Sequence, residues 1–322
     1  SGTTDTFTIV LNAEPTNDVV VLATDSNDEG EATISGSVTF TSADWDTPQT
    51  ITVTGVDDNI VDGDQISTIT ISVVETISDD DFDSVADQTV SATTTDDDVP
   101  GFTIVESDGS TEVDESGTTD TFTVVLDAEP TSDVVLTVTS DDTGEATVNS
   151  PLTFTSANWD TPQTITVTGI DDDIIDGTIT STITVAVDDA NSDDNFDSLA
   201  DQTVSATTTD DDVAGFTIVE SDGSTEVDES GTTDTFTIVL DAEPTEDVVL
   251  SVTSGDETEA TVNPGSITFT NENWDTPQTI TTTGTDDVGI IDGSQISDIT
   301  VAIVQEASDD NFDSVADQTV SA

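Results

Sequence analysis

Lysine, arginine and histidine are absent from this chain of 322 residues, which carries 72 Asp and Glu for a formal charge of −72. Cysteine, methionine and tyrosine are absent as well. Each absence removes a class of chemistry. A phosphate backbone is gripped by Lys and Arg, so nucleic acid is excluded as a partner. Anionic membrane surfaces are excluded on the same ground. No apolar run approaches the roughly 18 residues of a spanning helix, so no membrane insertion is expected. Without Cys there are no disulfides, thiol nucleophiles or thiolate metal sites, and without His the usual zinc and general-base chemistry is gone. Without Lys neither a Schiff base nor a Lys–Asn isopeptide crosslink can form. Carboxylates, hydroxyls and amides remain.

What is present points to order despite the charge. Only 32% of residues are hydrophobic, which with such a charge lies near the disordered regime. Against that stand many Val, Ile, Thr and Phe residues, which suit a pleated, half-buried surface. The length allows two or three ordinary domains. Ser1 and the lack of a leader sequence lead us to expect a processed product or a fragment.

Self-comparison carries the strongest signal. The run GFTIVESDGSTEVDESGTTDTFT stands at Gly101–Thr123 and, unchanged, at Gly215–Thr237. Ser1, Ser116 and Ser230 open equivalent SGTTDTFT segments, offsets of 115 and then 114. Trp45, Trp159 and Trp274 recur within WDTPQTI, and Phe82, Phe196 and Phe312 recur ahead of ADQTVSA. A period of this length is too long for a solenoid and fits one whole domain per copy. The expected domains are 1–98, lacking a first strand, 99–212, complete, and 213–322, lacking its final DDD.

The second copy predicts strands at 101–106, 119–127, 133–139, 152–155, 163–168, 180–187 and 202–209. Within Thr119–Asp127, Phe122, Val124 and Leu126 fall on one face and Thr121 and Thr123 on the other. Some seven short strands bounded by Gly, Pro, Asn and Asp, with no helical periodicity, predict an all-β fold: a tandem array of antiparallel, Ig-like β-sandwiches. The repeated Trp reads better as a core plug or corner residue than as a carbohydrate platform, since large aromatics dominate small cores.

The acidic residues gather in loops that a sandwich would bring to one end. In the second copy these are Glu115, the loop SDDTGEAT with Asp142 and Glu145, the loop GIDDDIIDG with Asp171, Asp172, Asp173 and Asp176, and the closing run Asp210, Asp211 and Asp212. Two carboxylates ~5 Å apart repel by roughly 0.8 kcal/mol even at bulk-water dielectric. A cluster of them without any cation in the chain needs an external counter-charge. Hard divalent ions with all-oxygen ligands supply it, and Ca²⁺ tolerates the irregular geometry of loops. The bland alternative is a solvated acidic surface. Position speaks against it, because DDD recurs at Asp96, Asp97 and Asp98 and at Asp210–Asp212, each time where one copy passes to the next.

The order strand, Glu, strands, Asp loop, PQTITVTG, DDxxxD, strands, DDD resembles the Calx-β domain, and more closely the Calx-β-like repeats of large bacterial surface proteins and adhesins. The resemblance spans about Val99 to Asp212; its specific parts are the VTG-x-DD run and the terminal DDD. It implies a cluster of Ca²⁺ at one end of the domain, held by Glu115, Asp142, Asp171, Asp172 and Asp210–Asp212. Asp176 stands where the family turn usually has Glu. Counterparts are Asp28, Asp57, Asp58, Asp62, Asp96, Asp97 and Asp98 in the first copy, and Glu229, Asp256, Asp286, Asp287 and Asp292 in the third. The third copy's turn, TDDVGIIDG, carries one added residue before Asp292.

A second acidic loop, SDDDFDS or SDDNFDS, places Asp79, Asp193 and Asp309 at its head. It lacks the Gly and Glu of an EF-hand, and a surface loop whose Phe enters the core is the better reading. The functional expectation is a structural one: a Ca²⁺-stiffened spacer or stalk of an extracellular, cell-surface adhesin or filament, with neighbouring repeats as its partners. An alternative is a self-assembling filament of identical chains joined by strand addition, since the first copy lacks GFTIVE and the last lacks DDD. A carboxylate-pair glycosidase and a carbohydrate- or ice-binding module are the remaining, weaker readings; no enzyme is expected.

Overall fold

The computed structural model describes residues 2–25, 30–286, 289 and 293–322. The first copy forms β1 (Thr4–Ile9), β2 (Val19–Asp25), β3 (Ala32–Ile34), β4 (Ser37–Phe40), β5 (Gln49–Gly55), β6 (Gln65–Val73) and β7 (Gln88–Thr94). The second forms β8 (Phe102–Glu106), β9 (Thr111–Asp114), β10 (Thr119–Leu126), β11 (Val134–Ser140), β12 (Ala146–Val148), β13 (Leu152–Phe154), β14 (Gln163–Gly169), β15 (Ile179–Val187) and β16 (Gln202–Thr209). The third forms β17 (Phe216–Glu220), β18 (Thr233–Leu240), β19 (Val248–Ser254), β20 (Ala260–Asn263), β21 (Ser266–Phe269), β22 (Gln278–Gly284), β23 (Asp298–Ile303) and β24 (Gln318–Ser321). The chain is an all-β array of sandwiches, and each sheet draws its strands from a single copy.

In the second copy the sheets run β12-β14-β10-β8 and β13-β11-β15-β16-β9. Phe122, Val124 and Leu126 point inward as their alternation requires, meeting Ile165 and Val167 of β14 and, from the facing sheet, Leu136, Val138, Ile183 and Val185 in one core. Burying each such side chain contributes about 1.5–3 kcal/mol. Two strands are not apparent in the sequence, β9 and β12. Both are short, and both exist because a neighbour offers an edge: β12 adds to β14, and β9 runs parallel to β16 from Thr111↔Ala206 to Asp114↔Thr209.

The Trp is a corner residue. Trp159 packs half-buried on the core, and its main-chain oxygen accepts from the Leu126 amide at 3.1 Å; Trp45 and Trp274 hold Leu11 and Leu240 in the same way. The SDDNFDS loop is a structural staple. Phe196 and Phe312 are fully buried. Asp193 accepts from the Thr131 hydroxyl (2.6 Å), the Ser132 amide (2.8 Å) and the Asn195 amide (3.0 Å), pinning the loop to the AEPTS turn.

The copies differ at their margins. Among the described residues the first has sheets β1-β5-β3 and β4-β2-β6-β7, and its buried residues form two small clusters. In the third, residues 225–228 correspond to β9 but form no strand.

Consecutive copies clasp each other through the loop after β5 or β14. Val61, 7% exposed, belongs to the core of the second copy. Its amide donates to Glu129 O at 3.0 Å and the Glu129 amide donates to Asn59 O at 2.7 Å, while Asn195 Nδ2 donates to Val61 O at 2.8 Å. At the next junction Ile175 packs on the third core, the Glu243 amide donates to Asp173 O at 2.6 Å, and Asn311 Nδ2 donates to Ile175 O at 2.8 Å.

Candidate metal centre

At one end of the second sandwich four segments bring carboxylates together. Pairing of β9 with β16 carries Glu115 to the end of the sheet, where its amide donates to Thr209 O at 3.1 Å and its side chain is only 1% exposed. Glu145, at the mouth of β12, is 6% exposed and anchored by its main-chain oxygen, which accepts from the Ile170 amide at 2.9 Å. Asp176 comes from the loop after β14. Gly177, at φ 76°, adopts a conformation that side chains disfavour and turns its amide onto Asp210 Oδ2 at 2.8 Å. Asp210 Oδ1 in turn accepts from the Asp212 amide at 2.7 Å.

Two groups result: Glu115, Glu145 and Asp176, and Glu115, Asp210 and Asp212, with one carboxylate oxygen from each member within 4.8 Å of the others. Glu115 is common to both. Neither of its carboxylate oxygens accepts a hydrogen bond, and Glu145 Oε2 and Asp212 Oδ2 are likewise buried and unpartnered. Burial, with the charge of Asp210 adding to it, pushes the Glu115 carboxyl up to about 7; the nearby Asp211 amide offsets only part of this. Burial and Asp210 push Asp212 up to about 6. Glu145 is raised by burial and by Asp176, and Asp176 by burial and by Asp172.

A buried carboxylate without a partner is stable only if protonated or if a cation meets it. The donor set is all oxygen, hard and anionic, which suits a divalent ion of the alkaline-earth kind. Glu115, Glu145, Asp176, Asp210 and Asp212 would hold it, and no side chain of the sequence offers a competing positive charge.

The remaining residues expected from the sequence fall into three sets. Asp172 lies beside the cluster with its Oδ1 accepting from the Ile174 amide (2.8 Å), and Asp142 turns its Oδ1 to the Gly144 amide (3.0 Å); both add negative potential without joining either group. Asp171 and Asp211 are exposed. In the first copy Asp57, Asp58, Asp62 and Asp96–Asp98 line a recess of about 20 Å³ together with Glu31, and Asp96 Oδ2 accepts from the Asp62 and Gly63 amides at 3.1 and 2.8 Å. In the third copy Glu229 and Asp286 are exposed, and Asp256 is engaged by the amide and hydroxyl of Thr258. Asp28, Asp287 and Asp292 lie outside the described residues.

Glu145 is the member that sequence reasoning left out of the ligand set, and Glu31, its counterpart, lines the recess of the first copy. The signal available was the Glu-Ala-Thr run repeated at Glu31, Glu145 and Glu259, directly ahead of a strand.

Neither a known protein family nor a curated protein matches the chain. Solved structures that resemble it are numerous, 601 chains, and of several kinds, as befits a common sandwich. The calcium binding domain CBD12 of CALX1.1 is 15% identical over 62% of this chain and 79% of its own, with a TM-score of 0.28. Domains 4–9 of the surface layer protein SbsC are 15% identical over 97% of this chain and 40% of theirs, at 0.27. An E-to-A variant of titin domains I67–I69 is 10% identical over 99% of this chain and 91% of its own, at 0.28. None of these likenesses bears on what this chain does.

Proposed function

We propose that this chain is a non-catalytic structural segment of an extracellular, cell-surface protein, its repeats acting as domains joined and stiffened by Ca²⁺. One observation carries the reading: the buried, unpartnered Glu115 carboxylate, around which Glu145, Asp176, Asp210 and Asp212 converge. The loop that supplies Asp176 also supplies Ile174 and Ile175 to the clasp on the third copy. A cation that draws Asp176 toward Glu115 and Asp210 therefore orders the same loop that sets one repeat against the next. Between copies, the DDD run leads directly into the following strand, so the ion sits where two repeats meet.

The test is a thermal melt with millimolar Ca²⁺ and with EGTA, paired with small-angle scattering. Binding to the folded state alone raises the melting temperature, by about 2.7 kcal/mol of stability at a hundredfold excess over Kd. The scattering profile is expected to be that of a stiffer chain in Ca²⁺. Identical melts and identical profiles in both solutions would overturn the proposal.

A further inference from the structure

We infer that the second copy is built to withstand tension along the chain, its first strand forming a clamp that a pull on the two ends of the copy loads in shear. That strand is divided between the two sheets. β8 pairs antiparallel with β10, from Phe102↔Leu126 to Glu106↔Phe122, and β9 pairs parallel with β16, from Thr111↔Ala206 to Asp114↔Thr209. β10 starts at the carboxylate end of the sandwich, where the Gly169 amide donates to Thr118 O at 3.0 Å, and finishes at Leu126 beside Trp159. The chain therefore enters the copy at the Leu126 end, runs up the sandwich as β8 and β9, and leaves after Thr209 at the opposite end.

Tension between neighbouring copies pulls Gly101 and Asp210 apart. Entry and exit lie at opposite ends, so the pull runs along β8, β9 and β16. The hydrogen bonds of a ladder lie across its strands. A pull along the strands strains all of them at once, whereas a pull applied at one end breaks them in turn. Both stretches of the first strand are loaded in the first way, one in each sheet.

Side-chain bonds brace the same path. Gln202, the first residue of β16, donates to the main-chain oxygen of Phe102 at 2.7 Å, tying the entering strand to the leaving one across the two sheets. Where the chain crosses between sheets, Asp120 of β10 accepts from the Ser107 hydroxyl at 3.0 Å and the Glu112 amide at 2.9 Å. It pins the end of β8 and the start of β9 to one place, so neither slides alone. The Thr111 hydroxyl closes the crossover by donating to Glu106 Oε2 at 2.8 Å. Asp234 holds Ser221 and Glu226 of the third copy in the same way, each at 2.9 Å. A carboxylate in the middle of the Thr-rich TDTFT run has this structural reason.

The inference goes beyond the Ca²⁺ reading and does not need it. A cation held by Glu115, at the end of β9, and by Asp210 and Asp212, after β16, would tie the two loaded strands together, so the test is made in EGTA. The chain has no cysteine, and introduced pairs therefore fix where force is applied. Val99 and Val213 flank the copy and are 72% and 76% exposed. In the full chain, handles on Val99→Cys and Val213→Cys pull along the strands. Handles on Ser116→Cys, at an exposed position just beyond β9, and Val213→Cys pull at one end and peel β9 from β16. Forced unfolding follows the barrier and not the overall stability, so direction alone separates the two cases. In optical tweezers at one loading rate, the force along the strands is expected to exceed the peeling force several-fold. Asp120→Ala removes the pin, leaves the five carboxylates of the metal centre in place, and is expected to lower the first force and not the second. Equal forces in the two directions, or an Asp120→Ala effect that is nil or the same in both, overturns the inference, whatever the outcome of the Ca²⁺ melts.

Discussion

Asn195 and Val61 belong to different copies of the repeat, yet the Asn195 side-chain amide donates to the main-chain oxygen of Val61 at 2.8 Å, and Asn311 does the same to Ile175. In the first copy the matching position is Asp81, which as a carboxylate has no proton to donate. In each clasp this amide supplements the main-chain bonds to Glu129 or Glu243 and the packing of Val61 or Ile175. Asn311→Asp is expected to loosen the second junction by about 1–3 kcal/mol, because a carbonyl loses its donor and gains a charge beside it. Limited proteolysis of the segment around Ile174–Ile175 reads the change. Cleavage at the wild-type rate would show that apolar packing and the main-chain bonds hold the joint without it.

Acidity offers a test of the carboxylate cluster. Glu115 and Asp212 titrate above their ordinary range in the folded protein, at about 7 and about 6, chiefly through burial and then through Asp210. A raised folded-state pKa means that the folded protein holds the proton more tightly. The stability this brings is complete below about pH 4 and disappears as pH rises through 6 to 7. Metal-free protein should therefore melt several degrees lower at pH 8 than at pH 5. Glu115→Gln, neutral throughout, should flatten the upper part of that decline. A flat wild-type profile between pH 5 and 8 contradicts the burial seen here.

On the acid side the sign reverses. Asp79 is held at about 2 by the Asn17 amide, the Thr16 hydroxyl and the Asp81 amide. Asp193 and Asp309 are also lowered: burial raises them, but hydrogen bonds from their turns outweigh it. Their contribution is present above the ordinary Asp range and is lost as pH falls below it, for Asp79 toward about 2. Removing the acceptor should act at neutral pH too. Asp193→Ala deletes three hydrogen bonds to a nearly buried carboxylate and is expected to cost about 1–3 kcal/mol in a urea or thermal melt. A variant within 0.5 kcal/mol of wild type would show the staple to be dispensable.

The three glycines that end the PQTITVTG strands (VTG or TTG) should respond differently to the same substitution. A Cβ at Gly169 would overlap the carbonyl oxygen of Asp114, and one at Gly284 that of Asp228. At Gly55 the nearest atom is the Thr94 methyl at 3.4 Å, ordinary contact. Gly169→Ala is thus expected to cost about 1–3 kcal/mol, the usual range for overpacking, and to push β9 and the adjoining Glu115 out of place, weakening Ca²⁺ binding. Gly55→Ala should be close to neutral in the same melts and titrations. Equal effects at the two sites would refute the close approach of β9.

The fold class was legible because it rests on local periodicity. Alternation at Phe122, Val124 and Leu126 decides which face of β10 is buried, and repetition of SGTTDTFT marks the copies, wherever the chain goes afterwards. The lack of Lys, Arg and His likewise settles, from composition alone, that no side chain of the sequence supplies a counter-charge to the clustered carboxylates. Strands β9 and β12 were not legible, since three or four residues acquire strand structure only from the edge they join. Nor was the choice of Glu145 over Asp142, which turns on the direction of one loop, or the reach of Val61 into the next core.

The sharpest case is Glu115 against Glu229. Both stand in the same unbroken run of identical residues, Gly101–Thr123 and Gly215–Thr237, so no local property distinguishes them. Glu115 is 1% exposed and central to the carboxylate cluster, whereas Glu229 is exposed. What buries Glu115 lies far along the chain, in β16, whose Ala206–Thr209 pair with Thr111–Asp114. Burial is a property of what packs against a residue, and here that partner is a strand almost a hundred residues away.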